Sequence, residues 1–432
     1  MRIAVIGSGV SGLLSAALLA RAHEVTLFEA DDRLGGHTHT HRVERFGRVW
    51  DIDTGFIVFN ERTYPHFIRL LELLGVESQP TTMSFSVRDE RDGLEYNGTD
   101  LNRLFAQRRN LLRPRFLRMV RDILRFYREA PALLATADDG PRLGDWLARG
   151  RYSRAFVEQH LVPLGAAVWS ADPRAMLAFP ARYLVQFFAN HGFLQVNDRP
   201  AWRVVRGGSR RYVDVLAREL GDRVRLRTPV REVVRRRDGV RLRVGGGELL
   251  HVDAVVIATH SDQALALLGD ARPAEREILG AMPYQANQAV LHTDARLLPR
   301  RRRAWAAWNY HVLERPPAAA TVTYNMNLLQ GLDAPQPFCV TLNRDADVDP
   351  GHVIARMQYH HPVITQASVA AQRRWAEING VERTWFCGAY WGYGFHEDGV
   401  RSALAVAACF GLDLEALARP PRRAVAAAGG AA

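Results

Sequence analysis

Arg2-Ile3-Ala4-Val5-Ile6-Gly7-Ser8-Gly9-Val10-Ser11-Gly12 stands at the start of the chain, and the order of residue types in it decides the fold. Residues 1–6 are a short apolar run that suits a buried parallel strand. Gly7, Gly9 and Gly12 punctuate the turn after it, and residues 13–22 continue in a helical pattern. A second apolar stretch, 24–28, ends on Glu29 and Ala30, with the acid 20 residues after Gly9. Gly7 permits a tight turn, Gly9 lets a pyrophosphate approach the backbone, and Gly12 lets helix and strand pack closely. Val10 and Ser11 then offer helix-terminal N–H groups and a positive dipole end to phosphate. Glu29 is placed to accept hydrogen bonds from ribose hydroxyls. The whole pattern predicts a dinucleotide site.

Arg33-Leu34-Gly35-Gly36-His37 comes almost immediately after. A cation and two more glycines suit a longer, bent ligand whose second phosphate must also be met. With these motifs the chain resembles the amine-oxidase-like FAD flavoproteins. The likeness recurs in the family's order, at Asp51-Ile52-Asp53-Thr54-Gly55, at Val204-Val205-Arg206-Gly207-Gly208-Ser209, at Val230, at residues 253–259 ending on Ala258 and Thr259, and at Gly388 through Gly399. It implies an α/β fold: an FAD-binding Rossmann-like domain of the glutathione-reductase type, with an inserted α+β substrate or cap domain. FAD is the implied cofactor. Gly35, Gly36 and His37 would meet its second approach, and Asp53, Thr54 and Gly55 would pass beneath the flavin. Val230 would touch adenine. Gly388, Gly394, Phe395, Glu397, Asp398 and Gly399 would frame the ring.

Phrases such as Asp53-Thr54-Gly55-Phe56-Ile57-Val58-Phe59-Asn60 and Tyr324-Asn325-Met326-Asn327 are similar to a bacterial branch of predicted NAD/FAD-binding proteins. Some of its members are linked to desaturation of methylated fatty acids beside a cyclopropane-synthase-like methyltransferase. The resemblance therefore implies a lipid-like substrate and that class of partner.

The chain has 432 residues and a net charge of +11, and all 57 of its basic residues are arginine. A coding bias accounts for that, and no nucleic-acid motif accompanies it. Many relatives hold a water near the flavin with a lysine, so its absence disfavours amine oxidation by that device. No run reaches the roughly 18 to 20 apolar residues of a membrane span. No signal peptide is expected ahead of the first strand, and Cys339, Cys387 and Cys409 read as core thiols in a reducing cytoplasm.

Residues 1–60, 200–270 and 380–418 are expected to form a discontinuous FAD domain, 61–199 and 271–379 the cap, and 419–432 a loose tail. The first cap segment is helical in pattern, and the second mixes strands with loops. Residues 101–128 hold nine arginines against one acid, Asp122, and a second cluster runs Arg300-Arg301-Arg302-Arg303 before Trp305. Such charge beside apolar side chains suits contact with the anionic inner face of a membrane. An ordinary cap helix with an arginine-rich solvated face carries the same pattern.

His396 and Glu397 offer a proton acceptor and its orienting partner, and Tyr390, Trp391 and Tyr393 offer a wall over the flavin. Glu397 and Asp398 equally suit first-turn acids that complement a helix dipole, and the aromatics equally suit packing between domains. His37-Thr38-His39-Thr40-His41 has strand spacing for two ligands on one face, yet no further ligand supports a metal. His360-His361-Pro362 reads as a turn, and Asn325 and Asn327 as strand residues that line a pocket or satisfy backbone groups.

Overall fold

The computed structural model describes residues 1–135, 140–315 and 318–419, so the tail expected over 419–432 lies, beyond Arg419, outside the described residues. Its centre is a five-stranded sheet in the order Val224–Arg225, Glu24–Phe28, Arg2–Ile6, Ala254–Ile257, Thr384–Phe386. Every pairing in it is parallel, from Ile3 opposite Ala254 to Ile257 opposite Phe386. Ile3 and Val5 enter one apolar cluster, while Ala4 and Ile6 enter another on the opposite face. A strand buried on both faces has no need for polar alternation, which is why residues 2–6 read as a continuous apolar run.

The first helix, Val10–Leu19, is buried along its entire length. It is covered by the sheet, by Arg210–Leu220 and by the last long helix, His396–Ala408. A helix enclosed on all sides has no use for a polar stripe, and this one has none. Its start fixes the geometry of the site. Gly7 has φ +97°, and a Cβ placed on Gly12 would lie 1.9 Å from the Gly7 carbonyl oxygen. The strand therefore turns directly into the helix with the two backbones in contact. Where the helices cross, Ser11 Oγ donates to the Gly399 carbonyl at 2.9 Å, bringing two helix starts together.

Four further sheets occur among the described residues: two small ones, Thr40–Arg45 with Arg48–Asp53 and Val58–Asn60 with Trp202–Val205 and Ser78–Pro80, and two that complete the frame. A three-stranded antiparallel sheet, Val230–Arg236, Gly239–Val244 and Glu248–Val252, covers one face of the parallel sheet. A seven-stranded sheet runs in the order Val353–Pro362, Tyr284–His292, Cys339–Leu342, Val322–Asn325, Trp308–Val312, Phe85–Asp89, Leu94–Asn97. The last two strands correct the helical reading of 61–199. Phe85–Asp89 is held by parallel pairing to Trp308–Val312, a partner more than two hundred residues away that local patterning does not reveal. The helices Pro114–Glu129, Val162–Trp169 and Ala181–Asn190 do occur in that segment.

Two smaller expectations are corrected. Cys339 and Cys387 are buried, but Cys409 is exposed just beyond the last long helix. Asn325 ends its strand and accepts from Leu328 N as the cap of the short helix Met326–Gln330. Asn327 lies in that helix and bonds the backbone at Ala334, Gln336 and Phe338.

Gly12→Ala should lower stability by about 1 to 3 kcal/mol, because the added methyl meets fixed backbone rather than a yielding side chain. Denaturant unfolding of the purified variant measures this, and an unchanged midpoint would show that the turn is looser than described.

Candidate cofactor site

A cleft of about 600 Å³ opens where the parallel strands end and the first helix begins. Gly7, Gly9, Val10, Ser11, Glu29, Ala30, Arg33, Gly35, Gly36, His37, Val230, Ala258, Thr259, Gly388 and Gly394 all line it. Residues expected from six separate stretches of chain thus converge on one space. The strand ends of an open parallel sheet leave such a crevice, and the helix start directs unpaired N–H groups into it.

Its polar groups are arranged for a ligand. Glu29 accepts from Ser8 N at 2.9 Å and from Asp31 N at 2.9 Å, which hold its carboxylate at the mouth of the turn. Arg33 Nη1, His37 Nε2 and the Tyr390 hydroxyl are buried and have no hydrogen-bond partner among the described residues. Unsatisfied buried polar atoms cost free energy, and three of them around one cleft match a polar guest. A Cβ on Gly9 would meet nothing within 4 Å, so open space lies directly over the helix start. Residues, charge and room together fit a dinucleotide with its pyrophosphate above Gly9, where Arg33 and His37 would meet it and Glu29 and Val230 would hold the adenosine end.

Other expected residues support the cleft from behind. Asp53 is fully buried, and its carboxylate accepts from Ser209 N at 3.0 Å and from Thr40 Oγ1 at 2.5 Å. Burial raises its pKa to about 6, against the pull of those hydrogen bonds. Thr54 Oγ1 bonds the Tyr359 hydroxyl at 2.6 Å, and a Cβ on Gly55 would strike the His37 carbonyl. Asp53, Thr54 and Gly55 do not themselves line the cleft, which corrects direct contact to indirect support: their polar groups are consumed in tying three chain segments together. Gly12, Phe395, Asp398 and Gly399 are likewise in the supporting layer, Gly399 within 2.6 Å of Val10 for an added Cβ. Asp398 caps the last long helix by accepting from Phe395 N at 3.0 Å.

The proposed acid–base residues are also displaced. His396 is buried against Phe56 and Phe67, each ring 4.4 Å from its own, and burial pushes it down to about 3. Glu397 accepts from Phe67 N at 2.9 Å and from His66 Nδ1 at 2.6 Å, so it holds the start of the helix Pro65–Leu73. Tyr393 packs 4.5 Å from Tyr183 on a neighbouring helix rather than on the cleft. Of the three aromatics expected as a wall, Tyr390 alone lines the space. Side chains at a helix start point in different directions, and strict adjacency in sequence does not bring them to one surface.

Sequence reasoning missed the opposite wall. His360-His361-Pro362 is no turn but the end of a long strand, and it lines the cleft with Tyr359, Tyr284 and His260. Tyr284 lies opposite Pro362 in register, and His260 stacks on Tyr284 at 4.2 Å with the rings 9° apart. Burial pushes His37 down to about 4 and His260 and His361 down to about 3, so these rings are neutral at pH 7. A sequence signal existed in the alternation of Gln358, His360 and Pro362, but only pairing with 284–292 shows which space it faces.

The chain is similar to known proteins. Residues 10–307 match the family described as flavin containing amine oxidoreductase. The candidate flavin-containing monoamine oxidase AofH of Mycobacterium tuberculosis is 30% identical over 254 residues, 55% of this chain and 52% of that protein. The chain thus spans about half the length of that curated relative. Cyclohexylamine oxidase from Brevibacterium oxydans has a similar structure, with TM-score 0.69 and 18% identity over 94% of this chain and 98% of the other. The CLA-producing fatty acid isomerase from P. acnes is similar with TM-score 0.67 and 16% identity, over 95% of this chain and 98% of that one.

Two substitutions test the placement. Gly9→Ala should fold with an unchanged apoprotein unfolding midpoint, since an added Cβ meets nothing within 4 Å, yet lose about tenfold in FAD affinity by crowding the phosphate site. His396→Phe should retain flavin and turnover. A histidine depressed to about 3 takes up its proton less readily than the unfolded chain, so its share of stability is whole above pH 6.5 and is lost as pH falls toward about 3. Asp53 and Asp398, both raised to about 6, act in the opposite sense, so wild type and variant are compared at each pH. The acid limb of the stability profile should be shallower in His396→Phe, and a collapse of turnover would restore this histidine to the chemistry.

Proposed function

This chain belongs to the flavin-containing amine oxidoreductase family, a family whose cofactor is FAD, and we propose that it removes a hydride from a carbon of an apolar, lipid-like substrate. The specific reading is a desaturase of unsaturated, methylated fatty acyl chains, whose methyl branch a cyclopropane-synthase-like methyltransferase would supply. We assign segments 61–199 and 271–379 to the cap that receives this substrate.

FAD, when bound, supplies a hydride acceptor. The chain's own part is to hold, orient and exclude. Glu29, Arg33 and the start of the first helix would bind the polar half of the cofactor. Phe56, Tyr359, His361, Pro362 and Gly394 bound the remaining space. Tyr359 is fixed by Thr54 and by His39 Nδ1 at 3.0 Å, and burial raises its hydroxyl to about 12, so Oη keeps its proton at neutral pH. His39, pushed down to about 3 by burial, stays neutral beside it.

The observation that carries the substrate class is the charge of this lining. Among the described residues its only acids are Glu29 and Asp31, both at the end of the second strand, and it contains no lysine. An ammonium group entering past Phe56 would find neutral rings and no carboxylate, whereas a hydrocarbon loses nothing there. A second reading, oxidation of an amine, is favoured by the likeness to AofH and uses the same cofactor.

Anaerobic titration separates the two. Methylated unsaturated fatty acid or its phospholipid should bleach the visible absorbance of the oxidised flavin, while monoamines and amino acids leave it unchanged. Bleaching by amines alone would establish the second reading and reject the first.

A further inference from the structure

The helix Pro114–Glu129 buries Phe116, Met119, Ile123 and Phe126, which leaves an outer face of Leu117, Arg118, Arg121, Leu124 and Arg128. Of the thirteen exposed large hydrophobic residues among those described, five fall between 101 and 124: Leu101, Leu111, Leu112, Leu117 and Leu124. Leu112 is 88% exposed and Leu101 74%, values that leave their side chains almost wholly in water. Leucine so placed has no folding role, and clustering of this kind marks a contact surface.

The tertiary structure adds a second cationic element. The turn Arg302–Ala304 packs against the short helix Leu101–Leu104 and the strand Leu94–Asn97. It is held by its backbone: the buried carboxylate of Glu95 accepts from Arg300 N at 2.8 Å and from Arg301 N at 3.1 Å, and Asn97 Nδ2 donates to Trp305 O at 2.8 Å. The anchoring acid is spent on main-chain N–H groups, and all four arginine side chains from 300 to 303 stay exposed. Among the described residues, Arg113, Arg118, Arg121, Arg128 and Arg300 to Arg303 form no ion pair within 4 Å, whereas Arg103, Arg115 and Arg125 in the same region do. Surface arginines elsewhere on this protein are widely paired, as at Arg69 with Glu415 and Arg374 with Glu277.

We propose that this face, built from residues 101–128 and the 300–303 turn, docks onto the surface of an anionic phospholipid bilayer. The guanidinium groups would sit among headgroup phosphates while the exposed Leu111 and Leu112, in the turn before the helix, enter the acyl boundary. Arginine pairs with phosphate through two parallel N–H bonds, and a leucine between such groups gains only where hydrocarbon lies beneath the charge. That second requirement distinguishes a membrane from a nucleic acid, which offers phosphate without an apolar layer. No helix among the described residues is long and apolar enough to cross a membrane, so the contact is one of lying on the surface. The inference stands apart from the substrate: an amine oxidase with this face would dock equally.

Vesicle co-sedimentation of the flavin-loaded protein tests it. Binding is expected to vesicles containing phosphatidylglycerol and to be at least about tenfold weaker to phosphatidylcholine alone. The double substitution Leu111→Asp with Leu112→Asp, and separately Arg301→Gln with Arg302→Gln, should each abolish most of that binding without altering flavin content or unfolding midpoint, since the four side chains are exposed. Equal binding to both vesicle types, no binding to either, or variants that bind like wild type would overturn the proposal. Displacement by duplex DNA that leaves the leucine variants unaffected would assign the face to nucleic acid instead.

Discussion

Everything at the cofactor site depends on one close approach, that of the Gly12 backbone to the Gly7 carbonyl. It permits the first helix to start directly off the strand end, so its free N–H groups face the crevice rather than solvent. The same proximity lets the last long helix cross at Ser11 and Gly399, with its own start beside the first. Two helix termini of like polarity repel weakly, at a few tenths of a kcal/mol each, and an anionic guest between them offsets that cost. The arrangement is therefore relaxed by what it binds.

Charge inside the protein is distributed by the same logic. Carboxylates that the sequence places near the ring, Asp53, Glu397 and Asp398, are turned away and used to join segments. Each accepts backbone N–H groups, which is how a buried acid becomes tolerable. On the side opposite Glu29 the cleft is faced by a wall that includes His37, His260 and His361, kept neutral by burial, and Tyr284 and Tyr359. Such a wall neither attracts nor repels a hydrocarbon.

The fold hosts several chemistries, since cyclohexylamine oxidase and a fatty acid isomerase share it at 18% and 16% identity. Reaction type on such a scaffold is set by a handful of side chains over the cofactor. Here the seven-stranded sheet brings Tyr284, Tyr359, His360 and His361 to the cleft, and it contributes neither lysine nor acid to the lining. The outer surface is a separate matter, decided by which arginines lack a carboxylate and which leucines lack a cover.

By itself the sequence determined the crossover at residues 2–29 and the glycines of its two turns that line the cleft, Gly7, Gly9, Gly35 and Gly36. It could do so because turn, helix start and acid lie within one short stretch, where steric demand at each residue is local. The return of the chain at 253–259 was legible through the family likeness, as a short apolar run ending on Ala258 and Thr259. Tertiary structure alone decided the other wall. Tyr284 and His361 meet because two strands far apart in the chain pair edge to edge, and His260, at the start of the helix Ser261–Leu267, stacks on Tyr284; nothing local encodes that register. It also decided that His396 is buried among aromatics and Glu397 caps a distant helix, because burial belongs to the assembled fold and adjacency in the chain says nothing of it.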